Sequence, residues 1–290
     1  MVHSPAPFRE AAEEYLAQVY AALAKTKNNS SPGPNRISYR LIKLINDADL
    51  GRAILHGIAR GTIALIKVPR EHRDLTMLMI PKPGNDKNKV NGWRPIVLPN
   101  IVGKLGEKVV ANDLQRHTTL FHDLHYGSRV NRLAKDAMMV ITSVAGSEIQ
   151  NGNNVILLGK DIVSAFNNVR AARVLEIIRK NNLVREAALC KDFLLPRKFQ
   201  ISWDSQEQGP TRIDDGTPQG SPISPVLWLI YIGNTLKRED QRCRYIAPTP
   251  RGSSNRLRAP PLTLSISTLL ISYGGGIQVA YICKNGSSKT

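Results

Sequence analysis

The chain has 290 residues, of which 42% are hydrophobic, a formal net charge of +17 and an isoelectric point near 10.0. This length suits one large domain or two, and the apolar fraction is sufficient for a sizeable core. Such an excess of Lys and Arg is unusual for an ordinary soluble enzyme. It favours a polyanionic partner, either nucleic acid or an anionic membrane surface.

Three sequence features bear on location. The longest apolar runs, Val226–Ile232 and Leu262–Ile271, are well short of the roughly 20 residues that a membrane-spanning helix requires. The N-terminal sequence MVHSPAPFREAAEEY has no basic segment followed by an apolar core, so no signal peptide is predicted. Cys190, Cys243 and Cys283 lack metal-type spacing. We therefore expect an intracellular protein with free thiols and no membrane partner, and the oligomeric state stays open.

The first part of the chain has helical patterns. Residues 5–25 are rich in Ala and Glu and place their large apolar side chains near one face. The turn cluster NNSSPGP at residues 28–34 ends this helix. A second helix is predicted to start within SPGPNRISYRLIK, and a third helical stretch lies between Leu50 and Val68.

A two-stranded ribbon is predicted next. Leu75–Ile80 and Trp93–Leu98 are short apolar strands joined by a polar loop. This order places Lys82 and Arg94 near facing ends of the ribbon. Two cations at that position can clamp a phosphate, and Arg offers a bidentate fork. An exposed hairpin with ordinary surface cations is the alternative.

Two further helix starts are informative. Asn100 is in position to cap a helix that begins near Ile101. In HYGSRVNRLAKDAMMVITS, Arg129, Arg132 and Lys135 form a basic face near a helix start, where positive charge opposes the helix dipole. A bound anion explains this cluster better than helix stability does. Nucleic-acid phosphates and a structural carboxylate are both open interpretations.

A single carboxylate follows a predicted buried strand in NVILLGKDIVSAFNNV. The apolar run Val155–Leu158 is bounded by Asn and Gly, a pattern typical of a strand that is buried on both faces. A helix with Val174, Ile177 and Ile178 on one stripe comes after it. Asp161 is therefore expected at the end of a central strand, where a carboxylate can hold a metal and remain accessible. The simpler alternative is a turn-capping Asp.

A small-residue loop precedes the last strongly helical pattern, in DDGTPQGSPISPVLWLIYIGNTLKR. Gly216, Pro218, Gly220 and Pro222 require an irregular loop, and an apolar helix follows from about Ser224. Small residues at this point let another backbone or a flat ring approach closely. A simple Gly/Pro turn explains the glycines but not the whole run.

These segments resemble known motifs in the order in which one family has them. KDIVSAFNNV and GTPQGSPISPVLW resemble two palm motifs of reverse transcriptases. PKPGNDK and WRPIVLPNIVGKLGEKVV resemble the fingers segment, and YGSRVNRLAKDA resembles the segment before the first palm motif. The likeness runs from about Ser31 to about Asp240 and is closest to non-LTR (LINE-type) retrotransposon enzymes. It implies an α+β right-hand polymerase fold with fingers and a partial palm, and RNA-directed DNA polymerase activity.

The resemblance also implies roles for individual residues. Asp161 is similar to the first metal-binding aspartate, with the backbone carbonyl of Ile162 beside the metal. Five residues would contact the incoming dNTP through its triphosphate, its sugar or the nascent base pair: Lys82, Arg94, Phe166, Gln219 and Gly220. The implied cofactor is Mg²⁺, as two ions, and the implied partners are an RNA template and a DNA primer.

One part of the family pattern is missing. Two-metal phosphoryl transfer needs more than one carboxylate. The family supplies the others in a hairpin motif, an aromatic residue, a variable residue and two aspartates, that pairs with the Asp161 strand. Residues 241–290 contain no Asp or Glu, although SYGGG at Ser272–Gly276 has a similar character. We therefore expect an incomplete palm sheet, unless the β-prone Leu262–Ile271 segment pairs with the Asp161 strand. We also expect a lost second metal site and an inactive copy, either through a frame change after about Asp240 or through decay of the element.

The expected organisation has four parts. They are an N-terminal helix (1–30), fingers with the start of the palm (31–150), a palm (151–240) and a degenerate or disordered basic tail (241–290), with no thumb. The main alternative function is a non-catalytic nucleic-acid-binding remnant. A maturase-like RNA-folding cofactor ranks lower because no intron-binding domain is visible. A nuclear location is suggested by the resemblance alone.

Overall fold

The computed structural model describes residues 6–65, 67–123, 125–152, 155–162, 164–194, 197–203, 206–240, 264–273 and 276–285. The helices are α1 (Ala6–Ala24), α2 (Tyr39–Asp47), α3 (Asp49–Leu65), α4 (Ile101–Arg116), α5 (Ala134–Gln150), α6 (Ala171–Lys180), α7 (Val184–Leu194) and α8 (Ser224–Asp240). The strands are β1 (Asp74–Pro81), β2 (Trp93–Leu98), β3 (Val155–Asp161), β4 (Arg197–Trp203), β5 (Gln206–Ile213), β6 (Leu264–Tyr273) and β7 (Gly276–Asn285). Short 3₁₀ helices occupy Arg70–Arg73, Val90–Gly92 and Thr118–Leu120.

The chain forms two units. The first unit comprises residues 1–120 and 166–228, and the second comprises residues 121–165 and 229–290. In the first unit, apolar side chains of three helices pack into one buried cluster of Ala22, Leu23, Tyr39, Ile42, Ile101 and Leu105. The three N-terminal helices predicted from the sequence are confirmed as α1, α2 and α3.

Asn100 lies at the predicted N-terminus of α4 but does not cap it through its side chain. Its Nδ2 donates to the carbonyl of Glu71 at 2.7 Å, and its Oδ1 accepts from the N–H of Asn35 at 3.2 Å. The predicted start of the helix is therefore confirmed, whereas the expected capping role is wrong. The side-chain amide of Asn100 instead makes tertiary hydrogen bonds, which join the segments of Glu71 and Asn35 to the start of α4.

The first unit also contains a four-stranded mixed sheet in the order β2-β1-β4-β5. β1 is antiparallel to β2 and parallel to β4, and β4 is antiparallel to β5. Leu75, Val97 and Phe199 form the buried cluster of this sheet. The pattern of the sequence predicts β1 and β2 but not the β4–β5 hairpin. β5 is exposed along nearly its whole length, so it lacks the apolar alternation that marks a strand.

The helices that follow the two palm-like motifs have the predicted buried faces. Val174, Ile177 and Ile178 of α6 are all buried. In α8 the apolar side chains Val226, Leu227 and Ile230 are buried as well. No helix in the part of the chain that the structure describes is both long and apolar enough to cross a membrane.

In the second unit, α5 lies against a three-stranded antiparallel sheet in the order β3-β7-β6. Ala137 and Ile141 of α5 are its buried centre. The sequence predicts that β3 lacks a hairpin partner, yet β7 pairs with it along its full length. The strands β6 and β7 lie within the interval 241–290, for which the sequence alone indicates a degenerate or disordered basic tail. Their apolar and β-branched residues suit a sheet even without the expected motif.

Candidate functional site

The two cations of the ribbon lie where the sequence predicts. Ile80 pairs with Arg94, and the N–H of Lys82 donates to the carbonyl of Gly92 at 2.8 Å. Cross-strand partners share a face and side chains alternate along a strand, so this register assigns Lys82 and Arg94 to the same face of the ribbon. Arg94 is exposed on that face. The predicted proximity of the two positions is therefore confirmed.

The Gly216–Ile223 loop is fastened to β2 by its backbone. The N–H of Val97 donates to the carbonyl of Gln219 at 2.7 Å. Gly220 follows with φ +116°, and a Cβ at this position would lie 2.4 Å from the carbonyl oxygen of Val97. A side chain is therefore excluded at residue 220 by both backbone conformation and space. The sequence predicts that another backbone or a flat ring can approach this loop closely, and in the structure the approaching backbone is that of β2.

The same loop is tied to the segment that follows β3. The N–H of Thr217 donates to the carbonyl of Phe166 at 2.9 Å. The Phe166 ring lies 6.5 Å from the ring of Trp228 in α8, at an interplanar angle of 54°. The first unit thus brings together Phe166, the Gln219–Gly220 step and the strand that carries Arg94.

A buried carboxylate that the sequence analysis missed holds the other end of the loop. Glu107 of α4 accepts a hydrogen bond from Ser221 Oγ and another from the backbone N–H of Ile223. Glu107 is 8% exposed and Ser221 is 3% exposed. Burial raises the pKa of Glu107 to about 7, although the Ser221 hydrogen bond and the charges of Arg197 and Lys104 act in the opposite direction.

The sequence does contain a signal for Glu107. Gly103, Glu107, Val110 and Leu114 recur at helical spacing on the buried side of α4. A charged residue within an otherwise apolar stripe requires a buried partner. The sequence does not identify that partner, because Ser221 is 114 residues away.

Arg197 of β4 is a second buried charge beside the loop. It is 4% exposed, and its Nη2 donates to the carbonyl of Gly216 at 2.8 Å. Its Nε has no hydrogen-bond partner among the described residues. Burial lowers the pKa of Arg197, whereas the nearby Glu107 charge raises it. Arg197 therefore holds Gly216, the first residue of the loop, while its own Nε–H makes no hydrogen bond to the described residues.

A cleft of about 700 Å³ lies between the loop and one face of the four-stranded sheet. Its sheet wall is largely apolar and includes Met77, Met79, Trp93, Pro95, Val97, Phe199, Ile201 and Trp203. Gln219 lies on the opposite wall. Because Trp93 and Pro95 face the cleft, Arg94 between them lies on the other face of β2. The cleft and the Lys82–Arg94 face are therefore separate surfaces.

The mouth of the cleft has an aromatic pair and basic residues. The rings of Trp93 and Trp203 are 5.8 Å apart at 68°, and Trp203 is 51% exposed. Trp93 Nε1 donates to the carbonyl of Lys87 at 2.9 Å, so the polar edge of this indole is satisfied. Lys87 and Lys89 line the same cleft. Aromatic faces beside cations can bind unstacked bases of a single-stranded nucleic acid.

Asp161 is the last residue of β3, and Ile162 follows it directly. The register pairs Asp161 with Gln278 of β7, and Tyr273 of β6 pairs with Gly276. Asp161 thus lies at the end of the sheet where β6 and β7 join. The predicted strand end is confirmed for the backbone, whereas the predicted central position is wrong, because β3 is an edge strand of this sheet in the described part of the chain.

The donor set at this end of the sheet does not fit a two-metal centre. Residues 241–290, which supply both strands of the hairpin, contain no Asp or Glu. Within the described ranges, no group of three or more His, Cys, Asp and Glu residues could hold a metal ion. Two divalent ions need several carboxylate ligands.

The predicted basic cluster of the second unit has internal partners. Arg129 donates to the carbonyl of His122 at 3.1 Å and lies 5.2 Å from the centre of the Phe121 ring. Arg132 donates to the carbonyl of Asp123, and its guanidinium lies 5.1 Å from the centre of the Tyr126 ring. Lys135, in the first turn of α5, is exposed. The two arginines thus contact carbonyl oxygens and rings, which sequence reasoning did not consider.

Comparisons with known proteins agree with this arrangement. The family model for reverse transcriptase (RNA-dependent DNA polymerase) matches residues 80–255. The RNA-directed DNA polymerase from mobile element jockey of Drosophila melanogaster is 24% identical over 219 residues, covering 74% of this chain and 24% of that protein. The probable RNA-directed DNA polymerase from transposon BS of the same organism is 25% identical over 230 residues, with the same two shares.

A third relative is the putative 115 kDa protein in type-1 retrotransposable element R1DM of Drosophila melanogaster. It is 26% identical over 234 residues, covering 79% of this chain and 22% of that protein. The chain spans about a quarter of the length of the curated relatives it matches. Since the family model covers more than half of the chain, including β2, Asp161 and the Gly216–Ile223 loop, the chain belongs to the reverse transcriptase family as a domain of the LINE type.

Proposed function

We propose that this domain keeps the framework that positions an RNA template, a DNA primer and a dNTP, but does not extend the primer. The family uses divalent metal ions for this reaction, and two Mg²⁺ ions would neutralise the phosphates when bound. Among the residues that the structure describes, the resemblance assigns Asp161 and the carbonyl of Ile162 to the metal site. They are too few for two ions, so no step of nucleotidyl transfer is assigned to this chain.

The observation that carries this proposal is the pairing of β7 with β3. It supports the interpretation of β6 and β7 as the hairpin that bears the second metal motif in the family. Tyr273 then takes the aromatic position, and Gly275 and Gly276 take the two aspartate positions. Such an in-register hairpin favours decay of the element over a frame change after Asp240.

The remaining contacts to substrate are proposed from the family resemblance. Lys82 and Arg94 would bind the triphosphate from one face of the ribbon. Phe166 would lie under the sugar and exclude a 2′-hydroxyl group, and Gln219 with Gly220 would line the nascent base pair. In the second unit, Arg129, Arg132 and Lys135 would contact nucleic-acid phosphates, with the exposed Lys135 contributing most.

Primer extension tests the proposal. The protein with an RNA template, a DNA primer, dNTPs and Mg²⁺ should give no product above background. Template-dependent dNTP binding should persist, measured as a preference for the complementary dNTP in a fluorescence titration. Robust extension that Asp161→Ala abolishes would overturn the inactive assignment. Equal binding of all four dNTPs would overturn the retained framework.

A second candidate function is nucleic-acid binding without nucleotide selection. The aromatic and basic mouth of the cleft and the net charge of +17 favour it. Binding should then be largely independent of sequence, and its logarithm should fall linearly with the logarithm of salt concentration. A flat salt dependence would refute this candidate. A preference for the complementary dNTP would separate the first candidate from the second.

A further inference from the structure

The Gly216–Ile223 loop is held on both sides of one residue. On one side, the carbonyl of Gln219 accepts from Val97. On the other side, Ser221 Oγ donates to Glu107. Only Gly220 separates these two anchored residues in the sequence, and it packs against the carbonyl of Val97. The backbone at Gln219–Gly220 therefore has little freedom while both anchors are intact.

The anchor at Glu107 is the stronger of the two by chemistry. One buried carboxyl group accepts from a side-chain hydroxyl and a backbone N–H, at Ser221 and Ile223. The anchor at Gln219 consists of one backbone hydrogen bond only, from the N–H of Val97. Removal of the Glu107 carboxyl group would leave two buried donors unpaired, which is unfavourable.

The groups that face Glu107 come from several elements. Lys104 lies one turn earlier on α4, Arg197 belongs to β4 and Tyr39 belongs to α2. Arg197 also donates to the carbonyl of Gly216, so the two charged residues together hold both ends of the loop. The loop is thus attached to the core of the first unit by buried polar groups, of which Glu107 lies within the fingers-like segment WRPIVLPNIVGKLGEKVV and Arg197 lies outside the family-like motifs.

We infer that Glu107 is a positioning residue that sets the geometry of Gln219 and Gly220 for the incoming nucleotide through its hydrogen bonds to Ser221 and Ile223. Glu107 does not touch the nucleotide in this arrangement. It acts by fixing the backbone from which Gln219 projects. This inference rests on the proposed nucleotide-binding role of the loop.

Hydrogen exchange measured by mass spectrometry tests the clamp independently of nucleotide binding. In Glu107→Ala, exchange of a peptide that covers residues 216–223 should accelerate about tenfold or more, as expected when both hydrogen bonds to the carboxyl group are lost. Glu107→Gln keeps an acceptor oxygen and should restore most of the protection. Ser221→Ala removes one of the two donors and should give an intermediate acceleration.

The control is Glu176→Ala, which removes a half-exposed carboxylate on α6 of the same unit and should leave loop exchange unchanged. Should Glu107→Ala fail to fold, Ser221→Ala and Glu107→Gln still decide the question. The inference would be overturned if Ser221→Ala left hydrogen exchange of the loop unchanged. It would also be overturned if the loop exchanged as fast in Glu107→Gln as in Glu107→Ala.

Nucleotide selection provides the second readout. Binding of a fluorescent complementary dNTP to the protein with template and primer should weaken about tenfold in Ser221→Ala, with little change for Glu176→Ala. If the wild-type protein binds no dNTP, the proposed function fails while the exchange result still stands. If exchange responds but dNTP affinity does not, Glu107 stabilises the loop without positioning the nucleotide, and the inference is overturned.

Discussion

The Gly216–Ile223 loop and the SYGGG sequence (Ser272–Gly276) differ in how far buried partners constrain their residues. The loop is held by buried polar partners, Glu107, Arg197 and the backbone of Val97. The sequence SYGGG (Ser272–Gly276) has glycine at the positions that we assign to metal-binding aspartates. A buried network cannot lose one member without leaving another unpaired, whereas a hairpin turn accepts glycine readily.

If the chain is inactive as proposed, this difference explains how a polymerase domain can lose its chemistry and keep its fold. Metal-binding side chains contribute to catalysis but are not needed to close a hairpin. Hydrogen bonds that position the loop also satisfy buried groups, so their loss is a loss of stability. Four experiments can break or sharpen this contrast.

The largest effect is expected at the hairpin tip. The double substitution Gly275→Asp with Gly276→Asp should tighten Mn²⁺ binding by about a hundredfold or more, since even a change in a ligand's outer-sphere partner costs about 10- to 100-fold. Electron paramagnetic resonance of free Mn²⁺ measures this directly. Adding Asp161→Asn should reverse the gain. If the double variant binds Mn²⁺ no better than wild type, the assignment of these glycines is wrong.

The next effect concerns the close approach at Gly220. Gly220→Ala should lower the free energy of unfolding by about 4 kcal/mol, because it combines a strained φ of +116° with a backbone clash against Val97. Urea denaturation gives this quantity. Gly84→Ala is the matched control, since Gly84 also has a positive φ, +77°, but nothing lies within 4 Å of its Cβ position. It should cost about 1 kcal/mol. Equal costs would mean that space at residue 220 is not limiting.

A third effect is a pH dependence of stability. Burial raises the pKa of Glu107 from 4.5 to about 7, so the folded chain retains this proton where the unfolded chain has lost it. The free energy of unfolding should therefore fall by roughly 3 kcal/mol as pH rises from 4.5 to 7, and then level off. Glu107→Gln should lack this decrease.

Wild type must be compared with Glu107→Gln, because His125 changes the free energy of unfolding with pH in the opposite direction to Glu107. Burial, with His122, Arg129 and Arg132 nearby, lowers the pKa of His125 to about 3. Its contribution therefore increases the free energy of unfolding as pH rises from about 3 to 6.5. Subtracting the Glu107→Gln profile from the wild-type profile removes this shared contribution. A flat difference between pH 4.5 and 7 would contradict the raised pKa.

The smallest effect is expected at the mouth of the cleft. Trp203→Ala should weaken binding of a single-stranded oligonucleotide about tenfold, as expected for the loss of one stacking surface. Trp203→Phe should retain most of the affinity, and neither change should alter binding to a duplex. Fluorescence anisotropy measures both. Equal affinities of the Ala variant and wild type for the single strand would show that this cleft does not bind unstacked bases.

Much of the fold was predictable because it follows from local patterns. Apolar periodicity and turn signals predicted α1 to α6, β1, β2, β3 and the start of α8, and the structure confirms them. β4 and β5 were not predicted, because β5 is exposed and is held by its neighbour in the sheet, not by a buried face. The pairing of β3 with β7 was also missed, since no short-range pattern specifies a partner more than 100 residues away.

The candidate site divides in the same way. Lys82, Arg94, Phe166, Gln219 and Gly220 were identified from their motifs, and their roles stay predictions. Glu107 and Arg197 were missed, although Glu107 interrupts an apolar helical stripe. Asn100 was placed correctly but given the wrong partner. Each miss concerns a polar group whose partner is 19 or more residues away, beyond the range of local sequence patterns.

The sequence by itself determined the helices, the ribbon, the charge and the absence of acidic residues after Gln241. These depend on residue type and short spacing, which the chain carries locally. The tertiary structure alone decided that Glu107 and Val97 hold the loop on either side of Gly220, and that β7 pairs with β3. Such contacts exist only after distant segments meet, because a buried polar group is satisfied by whichever partner the packed core brings to it.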